Sequence, residues 1–173
     1  MSKLAIIREI LNDNFKHYDK NYLSEKDINN KGKNFEVKYR IVKQHQIEFE
    51  LFRFDQSALP FFKDITDLKK MCDYVLFAEE GDFMYIFVIE LKLGNISAKK
   101  QLNAAKEFIQ FIINSANRIG KEIDGNYKIR KIRICDEMIK KRKTKMDKNI
   151  QFDGDDYCEY PLQNFLLEPL MRY

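Results

Sequence analysis

Two apolar runs face each other across a short polar break near the middle of the chain. The first is Asp73-Tyr74-Val75-Leu76-Phe77-Ala78 and the second is Phe83-Met84-Tyr85-Ile86-Phe87-Val88-Ile89, with Glu80-Gly81-Asp82 between them. Their β-branched and aromatic content predicts strands, and the glycine-containing break predicts a tight hairpin turn. With Gly81-Asp82 as a two-residue turn, Glu80 pairs with Phe83, and counting back sets Asp73 across from Glu90. A three-residue turn would throw Asp73 to the other face, so this register is an expectation for the structure to decide.

The second arm is apolar on both faces until it ends in Glu90-Leu91-Lys92. Strand side chains alternate, so Phe87, Ile89, Leu91 and Leu93 share one face, and Ile86, Val88, Glu90 and Lys92 share the other. A run apolar on both sides marks a central strand covered on both faces. Charges at the end of such a strand are costly to desolvate unless something needs them there. Directly opposed Cβ atoms lie about 4.5–5.5 Å apart, near enough for the Asp73 and Glu90 carboxylates to hold one cation.

Elsewhere the pattern predicts a first helix capped by Ser2 and running to about Tyr18, with Leu4, Ile7, Leu11, Phe15 and Tyr18 as its stripe. Residues 19–34 are polar and read as a loop. Phe35–Val42 and Ile47–Phe54 alternate well around Lys43-Gln44-His45-Gln46, which predicts a hairpin. Residues 55–70 contain Pro60 and a short amphipathic piece. A helix follows from about Ser97 to Arg118 on the stripe Leu102, Ala105, Ile109, Ile112, Ile113 and Ala116. Tyr127–Cys135 is a further strand with Ile129 and Ile134 inward. Residues 139–148 read as a loop or short helix, and the tail from 150 as irregular until Pro161–Leu170 packs against the body. The order helix, hairpin, hairpin, helix, strand predicts one mixed sheet sandwiched by helices.

At 173 residues this is most simply one domain, and 45% hydrophobic content with 13% aromatics excludes a disordered chain. No apolar run nears the ~18 residues of a membrane span, and Arg8 and Glu9 interrupt any signal-peptide core. The three cysteines, Cys72, Cys135 and Cys158, are odd in number and widely spaced, which predicts buried thiols in a reducing cytoplasm and no zinc cluster. Net charge is +4, but residues 118–148 hold twelve Lys/Arg against five Asp/Glu. Such a block suits a phosphate backbone, with Lys140, Lys141, Arg142 and Lys143 at its centre. Solvated lysines in a lysine-rich composition are the plainer alternative.

Asp at the head of one strand, Glu-x-Lys at the end of the next and a helix after it together resemble the PD-(D/E)xK nuclease superfamily, the restriction-endonuclease-like fold. The likeness spans roughly positions 70–135, with the preceding helix by analogy; the family's Pro-Asp stands here as Cys72-Asp73. Glu36-Val37-Lys38 is a second Glu-x-Lys, without a hairpin-partnered Asp ahead of it. The resemblance implies an α-β-β-β-α-β core, here with an extra N-terminal strand. It also implies a Mg²⁺- or Mn²⁺-dependent nuclease, with DNA as the first expectation. Asp73, Glu90 and the Leu91 carbonyl would then be metal ligands, with Lys92 beside the water or scissile phosphate and Glu9 as an added acid from the first helix.

Gln101 shares a stripe with Ala105, Phe108 and Ile112, so it faces the sheet and can reach back toward Lys92; a boundary glutamine bonding a turn is the alternative. Lys99 and Lys100 oppose the helix dipole, which a phosphate bound there would relieve; otherwise they are ordinary solvated lysines. Glu9 can equally be a solvated helix acid, and Glu90 with Lys92 a surface ion pair. Asp153, Asp155 and Asp156 lack a calcium-loop pattern and read as an acidic turn. No role is assigned to His17 or His45. A homodimer or partner protein is expected for a domain this short. The rival from another class is a non-catalytic nucleic-acid- or protein-binding module on the same fold, accessory to or inhibitor of a defence system.

Overall fold

The computed structural model describes residues 1–28, 34–44, 46–54, 59–63, 65, 68–92, 96–123, 125–135, 150–160 and 163–172. Eight strands and three helices lie among them: α1 (Lys3–Ile10), β1 (Tyr22–Ile28), β2 (Asn34–Val42), β3 (Glu48–Phe52), β4 (Tyr74–Glu80), β5 (Phe83–Lys92), α2 (Lys99–Arg118), β6 (Tyr127–Cys135), β7 (Tyr157–Tyr160), β8 (Phe165–Leu166) and α3 (Leu167–Met171). The chain is therefore mixed α/β, and it builds two sheets. One has the order β3-β4-β5-β6-β7 and the other β1-β2-β8. In the larger sheet β3, β4 and β5 are antiparallel, whereas β6 and β7 run parallel to β5.

The β4–β5 hairpin has the expected register, from Glu80 opposite Phe83 to Tyr74 opposite Ile89. Gly81 has φ +59°, the left-handed conformation that a two-residue turn with glycine first requires. Both faces of this hairpin are covered, as the apolar runs predicted, but by different layers. Val75, Phe77, Ile86 and Val88 pack with Leu4, Ile7, Leu102, Ala105 and Ile109 of α1 and α2. Leu76, Phe87 and Ile89 pack with Leu23, Tyr39, Ile41, Phe165, Leu167 and Leu170 of the smaller sheet and α3. The expected helix sandwich thus has its two longer helices, α1 and α2, on one side and only the short α3 on the other. The other side is chiefly a second sheet.

That second sheet accounts for most of the remaining differences. The 19–34 segment, read as a loop, contains β1, an edge strand whose Leu23 is fully buried. β1 pairs with β2, and the Tyr74 hydroxyl clamps it by donating to Ser24 O at 2.8 Å. β2 and β3, expected as one hairpin, belong to different sheets: Tyr39 and Ile41 lie on the face of the larger sheet instead of extending it. β7, in the tail read as irregular, adds a parallel edge to β6. Ile129 and Ile134 are both buried, but five residues apart on a strand they face opposite layers.

The first helix is shorter than expected. Ser2 caps it, its Oγ accepting from Ala5 N at 3.1 Å, but it stops at Ile10. The Asn12 side chain then accepts from Asn14 N and starts a 3₁₀ turn over Asp13–Phe15, a local bond that competes with helix continuation. Tyr18 is left 93% exposed. α2 carries the expected buried stripe in full and ends where Gly120, at φ 77°, lets Lys121 N reach back to Ala116 O. Neither helix nor strand occurs among the described residues of 59–71, and 139–148 lie outside the described residues. No described helix is long and apolar enough to cross a membrane, and Cys72, Cys135 and Cys158 are buried and not joined in a disulfide among the described residues.

One charged cluster ties α1 to the sheet. Glu50 of β3 is buried, and it accepts from Arg8 Nε at 2.8 Å and pairs with Lys20 at 2.9 Å and Lys16 at 3.3 Å. Burial pushes its carboxyl up, but the bonds from Lys20, Arg8 and Lys16 outweigh that and hold it below the ordinary value. Its contribution is thus present at neutral pH and fades as pH falls through that lowered value. Glu50→Ala is expected to cost about 2–3 kcal/mol in urea unfolding at pH 7, less than a fully buried pair because the cations are part-exposed. The cost should shrink on acidification; an equal cost at pH 3 would contradict this account.

Candidate active site

The carboxyl end of β5 and the entry to β4 meet on the helix-covered face of the larger sheet, and α2 begins at Lys99, shortly after β5 ends at Lys92. Antiparallel pairing carries Asp73 alongside Glu90, one step beyond Tyr74–Ile89. The two acids then exchange bonds through each other's backbone. Asp73 N donates to Glu90 Oε2 at 3.1 Å, and Leu91 N donates to Asp73 Oδ2 at 2.7 Å. Lys92, two residues on and so on the same face, pairs through Nζ with Glu90 Oε1. Glu90 is buried and Asp73 half-buried.

This geometry sets the electrostatics. Burial, and then the neighbouring Asp73 charge, push the Glu90 carboxyl up to about 7, against the opposing pull of Lys92. Burial likewise raises Asp73, while the Leu91 N–H, Lys92 and Arg53 pull it down. Two carboxylates and one ammonium leave net negative charge in a half-buried place when both acids ionise. That donor chemistry fits a hard divalent cation, which takes oxygen ligands and retains waters. The N–H and C=O of one strand residue leave on the same side, so the Leu91 carbonyl is also on the Asp73 side. No cluster of three or more His, Cys, Asp or Glu side chains in reach of one ion exists among the described residues. A cation here would have two side-chain ligands, with backbone and water supplying the rest.

The other expected residues divide. Gln101 is half-buried on the flank of α2 that also carries Phe108, whose ring meets Phe54 at 5.1 Å on the β3 side. The opposite flank meets β6 and β7, where Asn103 accepts from Lys131 and Gln110 donates to the Tyr127 hydroxyl. Gln101 is therefore on the Asp73 side of the helix, in its first turn. Lys100 is exposed, and Lys99 Nζ lies 5.5 Å from the centre of the Tyr157 ring. Glu9 does not join the site. It pairs at 2.8 Å with Lys121, which follows the end of α2 remote from Gln101, and α2 spans about 30 Å. In the second Glu-x-Lys, Lys38 pairs with Asp19 at 3.7 Å and covers the Tyr22 ring. Lys140, Lys141, Arg142 and Lys143 lie outside the described residues.

Two neighbours were missed in the sequence. Arg133 of β6 is the ladder partner of Glu90, on the same face, and bonds Glu159 at 2.8 Å. Arg53, just past β3, bears on Asp73 electrostatically and stacks over the Tyr74 ring. The rule that singles out Glu90, a charge inside a strand covered on both faces, selects Arg130, Lys131 and Arg133 as well. Only the parallel register of β6 reveals which of them adjoins Glu90. No family model, curated protein or solved structure matches the chain.

The coupling of the two acids can be read directly. In ¹³C-carboxyl NMR of the metal-free protein, Glu90 is expected to titrate near pH 7, and Asp73→Asn should move that midpoint down. A midpoint unchanged by Asp73→Asn would contradict the coupling.

Proposed function

We propose that this chain is a divalent-metal-dependent nuclease that hydrolyses phosphodiester bonds, with DNA as its substrate. The observation that carries this reading is the reciprocal bonding of Asp73 and Glu90 across the β4–β5 hairpin, with Lys92 on the same face. The order α1-β3-β4-β5-α2-β6 supports it, since it runs as the α-β-β-β-α-β core of the PD-(D/E)xK superfamily, with β1 and β2 inserted.

Asp73, Glu90 and the Leu91 carbonyl would hold Mg²⁺ or Mn²⁺, which supplies a polarised phosphoryl oxygen and a more acidic water. The chain's own groups do the rest. Lys92 exchanges its Glu90 contact for the scissile phosphate or the attacking water, giving fixed positive charge where negative charge grows. Gln101, from the first turn of α2, orients the water by hydrogen bonding. The half-buried setting keeps these interactions stronger than they would be in bulk water.

Plasmid and single-stranded DNA incubated with Mg²⁺ or Mn²⁺ should be cut by the wild type. Asp73→Ala or Lys92→Ala should lower the rate by on the order of 10³-fold. Equal cutting by Asp73→Ala would overturn the reading. At limiting metal the rate should climb from pH 6 to 8 as Glu90 ionises, and saturating metal should flatten that rise.

A further inference from the structure

A second polar cluster occupies the other flank of α2, beside β6 and β7. Lys131 and Arg133 alternate with apolar residues and share the helix-covered face of β6, about 6.6 Å apart by strand rise. Their side chains are only 3% and 4% exposed, yet their counter-charges are on the surface: Asp155 is 67% exposed and Glu159 39%. Lys131 Nζ reaches Asp155 Oδ2 at 2.5 Å and Asn103 Oδ1 at 2.9 Å; Arg133 Nη1 reaches Glu159 Oε1 at 2.8 Å.

The cations are thus built into the wall while the anions stand in front of them. A buried ammonium needs a counter-ion at all times, but nothing requires that the counter-ion belong to the chain. Two more lysines from α2 face the same place. Lys99 covers the Tyr157 ring, and Lys99 and Lys106 add to the pull by which Lys131 holds the Asp155 carboxyl below the ordinary value. Lys99, Lys106 and Lys131 thus bear on Asp155, and Arg133 on Glu159; the neighbouring Asp153 is bonded to the turn's own backbone and Asp156 is paired with Lys128. This cluster is adjacent to Glu90, because Arg133 is its ladder partner.

We propose that this flank is a phosphate seat for the nucleic-acid backbone, in which the Asp155 carboxylate occupies the place of a substrate phosphate until substrate displaces it. The Glu159 carboxylate stands in the same way before Arg133. The seat rests on the nucleic-acid reading of the neighbouring site, and it would grip the strand next to the bond being cut. It also makes substrate entry a competition between like groups, an internal carboxylate against an external phosphate.

The test is binding of fluorescein-labelled single-stranded DNA by anisotropy, in EDTA so that no cleavage occurs, across a salt series. Asp155→Asn should tighten binding by about fivefold, the worth of one charge pair at close range in water. Lys99→Gln and Lys106→Gln should each weaken it and reduce the salt slope by about 0.7. Inorganic phosphate should compete with the DNA and shift the Lys131 and Tyr157 amide resonances. Unchanged or weaker binding by a folded Asp155→Asn chain overturns the proposal. If that variant fails to fold, the two lysine variants decide, and unchanged affinity and salt slope in them overturn it. Tighter binding by Asp155→Asn with no metal-dependent cutting by the wild type would keep the seat and remove the nuclease. Cutting with no response at Asp155, Lys99 and Lys106 would do the reverse.

Discussion

Antiparallel pairing between β4 and β5 is the constraint on which the rest of the molecule depends. A register slip of one residue would turn Val75, Phe77, Ile86 and Val88 from the helix layer to the second sheet, and the mirror set the other way. Because both faces of the hairpin are buried, neither layer tolerates that exchange. The same register delivers Asp73 to Glu90, where the two acids complete the ladder with side chains in place of backbone. Core packing and acid placement are therefore one event, and the charges ride on a hairpin buried on both faces.

Charge is costly in such a place, and the structure handles the cost differently on the two flanks of α2. On the β4 side, two carboxylates share one lysine and retain net negative character, which suits a cation. On the β6–β7 side, two buried cations lean on exposed carboxylates, one of which also feels Lys99 and Lys106, which suits an anion. A metal-dependent phosphodiesterase needs those two affinities side by side, one for the ion and one for the backbone of its substrate. Glu90 and Arg133, paired in the ladder, mark the boundary between them.

How much of this was legible in the sequence follows the strength of the local signal. The β4–β5 hairpin, α2 with its stripe, and the bounds of β6 were readable because their apolar runs are long and their breaks carry a turn glycine or a helix stop. β1 was not, since the run Ser24-Glu25-Lys26-Asp27 makes it mostly polar and leaves little periodicity to read. The separation of β2 from β3 was hidden for another reason: an alternating strand fits equally well beside its neighbour or across from it. Asp73, Glu90 and Lys92 could be brought together because their spacing is local to one turn. Glu9 could not be placed, because its position depends on how far α1 runs along α2. Arg133 and Lys131 required a parallel crossover register, which no local pattern encodes.

The central claim is that Asp73 and Glu90 together hold a divalent cation. The most direct measurement is anomalous diffraction from crystals soaked in Mn²⁺ at a pH above the Glu90 midpoint of about 7. The account predicts one strong peak bridging the two carboxylates on the Leu91 carbonyl side, abolished in Asp73→Asn. An empty site in the wild type, with Lys92 still closed on Glu90, would contradict it.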